Sequence, residues 1–393
     1  MTPLISIVIP LNEEPDQVIL QLLESIENQK LQADEIVIVG TGNSKSSQKK
    51  QFQSRGIDVK YFYEKNLLPG AARNFGAKKT KNNFIAFLDA STRPDPDWLE
   101  NSSTILHEES ANLVIGKTKF QAQTYFQKIL RACSYGKKAH ETVPGTLIKK
   151  TVFMDNIFIE WLRAGEDQEW KQRIALEHKI SVPNEALISY FGFPKNINRA
   201  IKKYFTYSVS AAFVEVQNNL KDLYLSLVLV FSALIIPRWN YLLPDWDKSP
   251  WYVDDVSKKY LILICAIFFL ANIANRLVHS NLRLGLFSNT SLKLIIFLGL
   301  SLLIYNWNRL FADWVGSALL YIPHITKIYI LLIIIITFFM RGIYFPLKRQ
   351  ISHQFLFPVN WIIVGCLGLI LDLIKLPGYT FGALRSLTKR SGL

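Results

Sequence analysis

Cysteine, methionine and histidine are scarce in this chain of 393 residues, which holds three, three and six of them. Cys133, Cys265 and Cys366 lie far apart, so neither a zinc site nor a disulfide framework can be assembled from their spacing. His107, His140 and His178 have no metal-ligand spacing and read as surface or packing residues. A dense basic block and an RNA-reading motif are also missing, although 45 Lys and Arg against 31 Asp and Glu leave a net charge of +14. Many of those cations flank apolar runs, where membrane anchors are expected, so nucleic acid is not an expected partner. No signal peptide is legible, because Ile5-Ser6-Ile7-Val8-Ile9 is short and has no basic residues before it. The amino-terminal half is therefore expected to stay in the cytosol.

What is present falls into two parts. Through roughly the first 215 residues, polar and charged side chains separate short apolar runs; beyond them come long Leu/Ile/Phe runs. In the first part strands and helices alternate, which predicts a mainly parallel sheet with helices on both faces. Ile5–Ile9 and Glu35–Val39 read as strands, Val18–Ile26 as a one-faced helix, Lys49–Ser54 as a helix and Val59–Phe62 as a third strand.

The organising stretch is Leu68–Glu100, LPGAARNFGAKKTKNNFIAFLDASTRPDPDWLE. Pro69-Gly70 reads as a break, a helix over Ala71–Lys78 carries Arg73 and Asn74, and the continuous apolar run Phe84–Leu88 reads as a central strand. Asp89 then stands at the carboxyl end of that strand, where open α/β sheets keep their ligands, and a polar, proline-punctuated turn follows and leads the chain away through Pro94-Asp95-Pro96-Asp97. Leu113–Gly116 and Lys117–Gln121 suggest another strand near a sheet edge, and Pro144–Ile148 one that lines the site from the other side. Ala164-Gly165-Glu166-Asp167 opens a helix over Gln168–Ala175, and acids at a helix amino terminus are favoured by its dipole.

Five of these pieces occur together and in order: SIVIPLNEE, PGAARNFGA, FLDASTRPDPDWL, PGTLIKKTVF and GEDQEWKQRI. In this the chain resembles the family-2 inverting glycosyltransferases with a GT-A fold, over about residues 4 to 215. The resemblance implies a Rossmann-like α/β domain that transfers a sugar from a nucleotide-sugar donor to an acceptor, with inversion at the anomeric carbon. It implies Asp167 as the base that takes the acceptor's proton, with Glu166 positioning the acceptor or orienting the base. Asn12 and Glu13 would lie near the nucleotide, Arg73 near the donor diphosphate, and Arg173 would be a phosphate-binding residue. Asp89 matches the first acid of the family's Asp-X-Asp motif, which implies a divalent cation, Mn or Mg, at Asp89. The motif reads Asp89-Ala90-Ser91, so Ser91 replaces the second acid, with Asp95 or Asp97 as substitutes beyond a proline. The acidic pair usual after the second strand is Gly40-Thr41-Gly42-Asn43 here, and the processive Gln-X-X-Arg-Trp motif is absent. A single-transfer enzyme of glycan biosynthesis in the cell envelope is the implied class.

The expected organisation is a GT-A domain at 1–193, an amphipathic interfacial helix at 194–217, and an all-α transmembrane region at 218–393. Lys195, Arg199, Lys202 and Lys203 among Ile197, Ile201, Phe205 and Val209 suit a helix on an anionic membrane surface. Apolar runs near 220–236, 260–273, 292–305, 328–340 and 359–374 predict four to six spans and a basic tail. The whole reads as a multi-pass inner-membrane enzyme with a cytosolic catalytic domain and a lipid-linked or glycan acceptor. The competing expectation is a catalytically silent protein that binds a nucleotide-sugar or serves as a scaffold.

Overall fold

The computed structural model describes residues 3–43, 52–212 and 325–390, with scattered positions between 235 and 322. Met1–Val216 and Phe338–Leu393 form one compact unit, and Gln217–Thr337 a second.

The first unit is built on one mixed sheet of nine strands. They are β1 (Ile5–Leu11), β2 (Glu35–Gly40), β3 (Asp58–Tyr63), β4 (Phe84–Phe87), β5 (Thr92–Pro94), β6 (Leu113–Phe120), β7 (His140–Lys149), β8 (Ile180–Ser181) and β9 (Ile188–Tyr190). Their order is β3-β2-β1-β4-β7-β6-β9-β5, with β8 on β6. The first four neighbours are parallel, as the alternation of strand and helix predicts. From β4 onward the sheet turns mixed, because β7 runs antiparallel to both β4 and β6. This mixed α/β sheet agrees with the GT-A-like domain that the resemblance implies.

The period-2 pattern of the strands sorts the core into two layers. Ile5, Ile7, Ile9, Ile36 and Ile38 pack with Ile19, Leu22 and Leu23 of α1 (Asp16–Glu27) and Leu99 of α3 (Trp98–Glu108). Val8, Val37, Val39, Ile85 and Phe87 face the other way. They meet Ala72 of α2 (Pro69–Lys79), Phe153 of α5 (Lys150–Asp155) and Trp170 of α6 (Glu166–Glu177). Pro69 is the first residue of α2 rather than a break before it, since the missing N–H is no loss at a helix start.

Three expectations are corrected. β6 lies inside the sheet between β7 and β9, not at its edge. Thr92–Pro94 forms a short strand against β9 in what reads as a plain turn. Residues 52–54 are not helical, and 49–51 lie outside the described residues.

The carboxyl-terminal part of this unit packs on the sheet domain. Helix α7 (Ile197–Ala211) and helix α4 (Tyr125–Cys133) receive Val364, Leu367 and Leu371 of the long carboxyl-terminal helix Asn360–Arg390. That helix meets α7 through Gly378 and Gly382, a small-xxx-small pair. A Cβ on Gly378 would stand 2.9 Å from Cβ of Ser208, and one on Gly382 would run into the backbone of Val209.

Of the expected spans, the runs near 220–236, 260–273 and 292–305 fall largely outside the described residues. Among the described residues one helix, Asn360–Tyr379, is long and apolar enough to cross a membrane. Helix α8 (Ile325–Phe339) is exposed at Ile328, Leu331, Leu332, Ile334, Ile335, Ile336 and Phe339, and its helical backbone continues through a wider turn at Met340–Tyr344 into Phe345–Lys348. The Asn360–Arg390 helix, α9 below, likewise exposes Ile362, Ile363, Ile370 and Leu373.

Gly382→Val should force α9 away from α7 at a cost of about 1–3 kcal/mol. The check is the thermal midpoint of the full chain in detergent. Leu373→Val, on a side chain 67% exposed, is the control and should leave the midpoint in place.

Candidate active site

Two segments distant in sequence meet at one guanidinium. Arg73, in the first turns of α2, is buried, with its side chain only 6% exposed. Its Nη2 donates to Oδ1 of Asp89 at 2.7 Å, and its Nη1 donates to Oε1 of Glu166 at 3.1 Å. Asp89 follows β4, whose backbone ladder with β1 continues one step further, from Leu88 N–H to the carbonyl of Val8. Glu166 opens α6, so the two acids come from opposite sides of the site.

The local sequence explains how α6 is aimed. Gly165 caps the helix at φ 89°, a backbone shape that glycine adopts without cost, and this turns the chain so that Glu166 begins the helix. Gly70 allows the start of α2 to come close, since a Cβ there would lie 2.6 Å from the carbonyl oxygen of Ile159 and 3.3 Å from Cγ of Glu166. Asn74 then clamps the loop before α6. Its Nδ2 donates to the carbonyl of Phe158 at 2.8 Å, and its Oδ1 accepts from the N–H of Phe158 at 3.0 Å. Trp170, buried in α6, donates from Nε1 to the carbonyl of Asn156 at 2.6 Å and fixes the same loop.

The electrostatics follow from crowding three acids around one cation. Burial works against the charge of Arg73, but Asp89 and Glu166 outweigh it and hold the guanidinium protonated. Burial pushes Asp167 above the ordinary carboxylate range, against the pull of Arg73 and with Asp89 adding to the push. Glu166 is raised too, by burial first, with the charge of Asp167 working against Arg73. Asp167 also lines a cavity of about 220 Å³ between β7 and the start of α6, with Thr142, Val143 and Lys171 on its walls. The Nε of Arg73 is buried and has no protein partner among the described residues, so the guanidinium keeps one donor in reserve.

The other expected site residues lie as follows. Asn12 and Glu13 are exposed at the carboxyl end of β1. Glu13 accepts from the N–H of Asn43 at 3.3 Å, which joins this end to the glycine-rich loop after β2. Arg173 is not part of the Arg73 cluster. It pairs with Glu169 at 2.8 Å and donates to the carbonyl of Ile157, again steadying the loop before α6. Asn74 was legible only as a member of the helix start and Gly70 only as a break before it, because their partners lie far along the chain.

A divalent cation fits this donor set poorly. Asp89 is already engaged by Arg73, Ser91 stands where the second acid would be, and Asp97 pairs with Lys30 at 2.6 Å. Among the described residues no group of three or more His, Cys, Asp or Glu side chains converges to hold a metal.

Residues 6–158 match the family model Glycosyl transferase family 2. An uncharacterized glycosyltransferase of Rickettsia bellii is 29% identical over 181 residues, covering 42% of this chain and 25% of that protein. One of Methanocaldococcus jannaschii is 26% identical over 209 residues, 48% of this chain and 70% of that protein. The chain thus spans about a quarter of the length of the Rickettsia relative (25%). Among solved structures, Staphylococcus aureus TarS 1–349 in complex with UDP-GlcNAc aligns at 18% identity and a TM-score of 0.40, covering 56% of this chain and 69% of that one. The mannosyltransferase PcManGT of Pyrobaculum calidifontis, in complex with GDP-Man and Mn2+, aligns at 14% identity and 0.40, covering 54% and 63%. The family match and the relatives support a glycosyltransferase domain in this part of the chain.

Arg73→Met should lower the unfolding free energy by about 3–5 kcal/mol, because it leaves Glu166 buried without its counter-charge. Adding Glu166→Gln should restore most of that loss, which chemical denaturation of the single and double variants can measure.

Proposed function

We propose that the chain is a membrane-anchored inverting glycosyltransferase, which moves a hexosyl group from a nucleotide-sugar to a lipid-linked or membrane-proximal glycan acceptor. The observation that carries this reading is the shared guanidinium, which ties the acid at the end of β4 to the acid pair that opens α6. In this reading the acceptor hydroxyl enters from the cavity lined by Asp167. Asp167 takes the hydroxyl proton as the oxygen attacks C1 of the donor sugar. The bond from C1 to the diphosphate oxygen breaks on the opposite face, and the nucleoside diphosphate leaves with the electron pair. Burial suits this role, since a carboxylate with raised proton affinity is the stronger base. Glu166, held by Arg73, orients the start of α6. Asn12 and Glu13, with the Gly40–Asn43 loop, frame the nucleotide, and Arg173 acts on the site through the loop that it braces.

The anchoring is supported by the exposed apolar surface of α8 and by the apolar stretch Asn360–Tyr379. Helix α7 adds exposed Ile197 and Phe205 beside exposed Arg199 and Lys202, the side-chain mixture that suits an anionic bilayer surface. The protein in this reading is a multi-pass inner-membrane enzyme whose catalytic domain faces the cytosol and its nucleotide-sugars. A second reading, a silent nucleotide-sugar binder or scaffold, is favoured by Ser91 and by the engagement of Asp89 with Arg73. Calorimetric donor binding without turnover, across acceptors and with or without Mn2+ or Mg2+, would select it.

The test of the first reading is Asp167→Asn in the purified full chain. Transfer should fall by about 10²- to 10⁴-fold, and retained activity would overturn the base assignment. The pH dependence has a defined sign. A carboxyl whose folded pKa is raised contributes nothing to stability below its ordinary range and becomes destabilising as pH rises through the raised value. Activity should climb through that same interval as the base ionises. Asp167→Asn should remove both trends and hold or raise the thermal midpoint at neutral pH.

A further inference from the structure

The site is short of positive charge. Asp89, Glu166 and Asp167 surround one cation, Arg73, and a donor diphosphate would bring further negative charge to the same place. The side chains at Asp89-Ala90-Ser91 do not fit the metal that usually balances such a group.

A candidate for the missing charge stands on α7. The ammonium of Lys203 lies 5.6 Å from the ring centroid of Tyr190 and 5.4 Å from that of Tyr207. Tyr190 ends β9 and is paired with Thr92, the residue that follows the Asp89–Ser91 turn. One step further the N–H of Phe191 donates to the carbonyl of Ser91 at 2.9 Å, and at Gly192 the chain passes so close that a Cβ would stand 3.1 Å from Cβ of Ser91. The aromatic face under Lys203 is therefore fastened directly to the turn that would hold a donor diphosphate. Lys203 is half-buried and makes no ion pair within 4 Å among the described residues. Burial lowers its pKa to about 8, Asp89 works to raise it and Arg163 to lower it further. Its charge is thus held by ring faces and by the field of Asp89, without a carboxylate in contact, which leaves its donors free for an incoming anion.

We infer that Lys203 binds the diphosphate of the donor together with Arg73, at the Asp89–Ser91 turn, and supplies by side-chain charge what a divalent cation would otherwise supply there. This deepens the glycosyltransferase reading and rests on it. Arg73, held to Asp89 at the turn, stands on the α2 side, and Lys203 closes the diphosphate from the α7 side. When the bond to C1 breaks, the ammonium and the guanidinium stabilise the departing charge and neither has to give up a proton.

The experiment is calorimetry on the full chain in detergent, with UDP, GDP, CDP, ADP and dTDP and the matching nucleosides, in EDTA and in Mn2+. The wild type should bind one of the diphosphates in EDTA about as well as in Mn2+. Lys203→Met, which keeps the stem on the two rings, should weaken that binding by about 10- to 100-fold. Affinity for the nucleoside should not change, and Lys203→Arg should recover most of the loss. Binding that is indifferent to Lys203→Met, or that appears only with Mn2+, overturns the lysine assignment and leaves the glycosyltransferase reading standing. A wild type that binds none of the diphosphates under either condition overturns that reading as well. The chelation comparison uses the wild type alone, so a requirement for Mn2+ overturns the proposal even where Lys203→Met does not fold.

Discussion

The buried guanidinium of Arg73 is the constraint on which the site depends. A cation taken out of water is tolerated only when its charge is matched, and here Asp89 and Glu166 balance it and each accept from one Nη, while Nε keeps no protein partner among the described residues. The pairing is also geometric. One rigid, planar fork reaches the end of β4 and the start of α6 at once, so neither element can shift without breaking a charged hydrogen bond in a dry place. Around it the same end is served by smaller devices: glycine at 70 for close approach, glycine at 165 for a left-handed cap, and Asn74 locking the loop between. The three carboxylates then share a site in which burial raises Glu166 and Asp167, which is an arrangement for handling protons.

The second dependence runs through α7. One face of this helix packs on α9 near Gly378 and Gly382, whereas Lys203 stands over Tyr190 beside the Asp89 turn. Exposed Ile197 stands nearer its amino-terminal end. A helix with three such assignments couples the apolar carboxyl-terminal helix to the sheet domain by direct packing rather than by a tether. Arg349 strengthens the join, since its carbonyl accepts from the N–H of Lys137 at 2.9 Å and its Nη1 donates to the carbonyl of Cys133. The composition of the chain shifts near residue 215, whereas residues 1–216 and 338–393 share one compact unit.

Much of the parallel half of the sheet was legible in the chain, because its strands are continuous apolar runs closed by polar turns and its helices carry apolar residues at three- and four-residue spacing. The antiparallel half was less so. Leu113–Phe120 reads as an edge strand from its polar second half, yet β7 and β9 cover both its sides. Thr92–Pro94 reads as a turn because of its proline, but the strand lies at the end of the sheet order, where a missing N–H does no harm. Arg173 is a basic residue in a suggestive place, and only its neighbours reveal that Glu169, one helical turn earlier, takes it up.

The sequence by itself determined the chemistry available at the end of β4 and at the start of α6: an acid, an acid pair and, ahead of both, an arginine in a helix start, with a serine where a second metal-binding acid would stand. These are local facts, carried by residue type and by adjacency to strand ends and helix starts. Tertiary structure alone decided which charges meet. Arg73 reaches Asp89 and Glu166 because Gly70 and Gly165 let two helix starts crowd together, and Lys203 turns from a membrane-facing cation into a neighbour of the Asp89 turn because β9 carries Tyr190 beneath it. Charge pairing depends on distances of a few ångströms between residues far apart in the chain, and local patterns of hydrophobicity do not encode those distances.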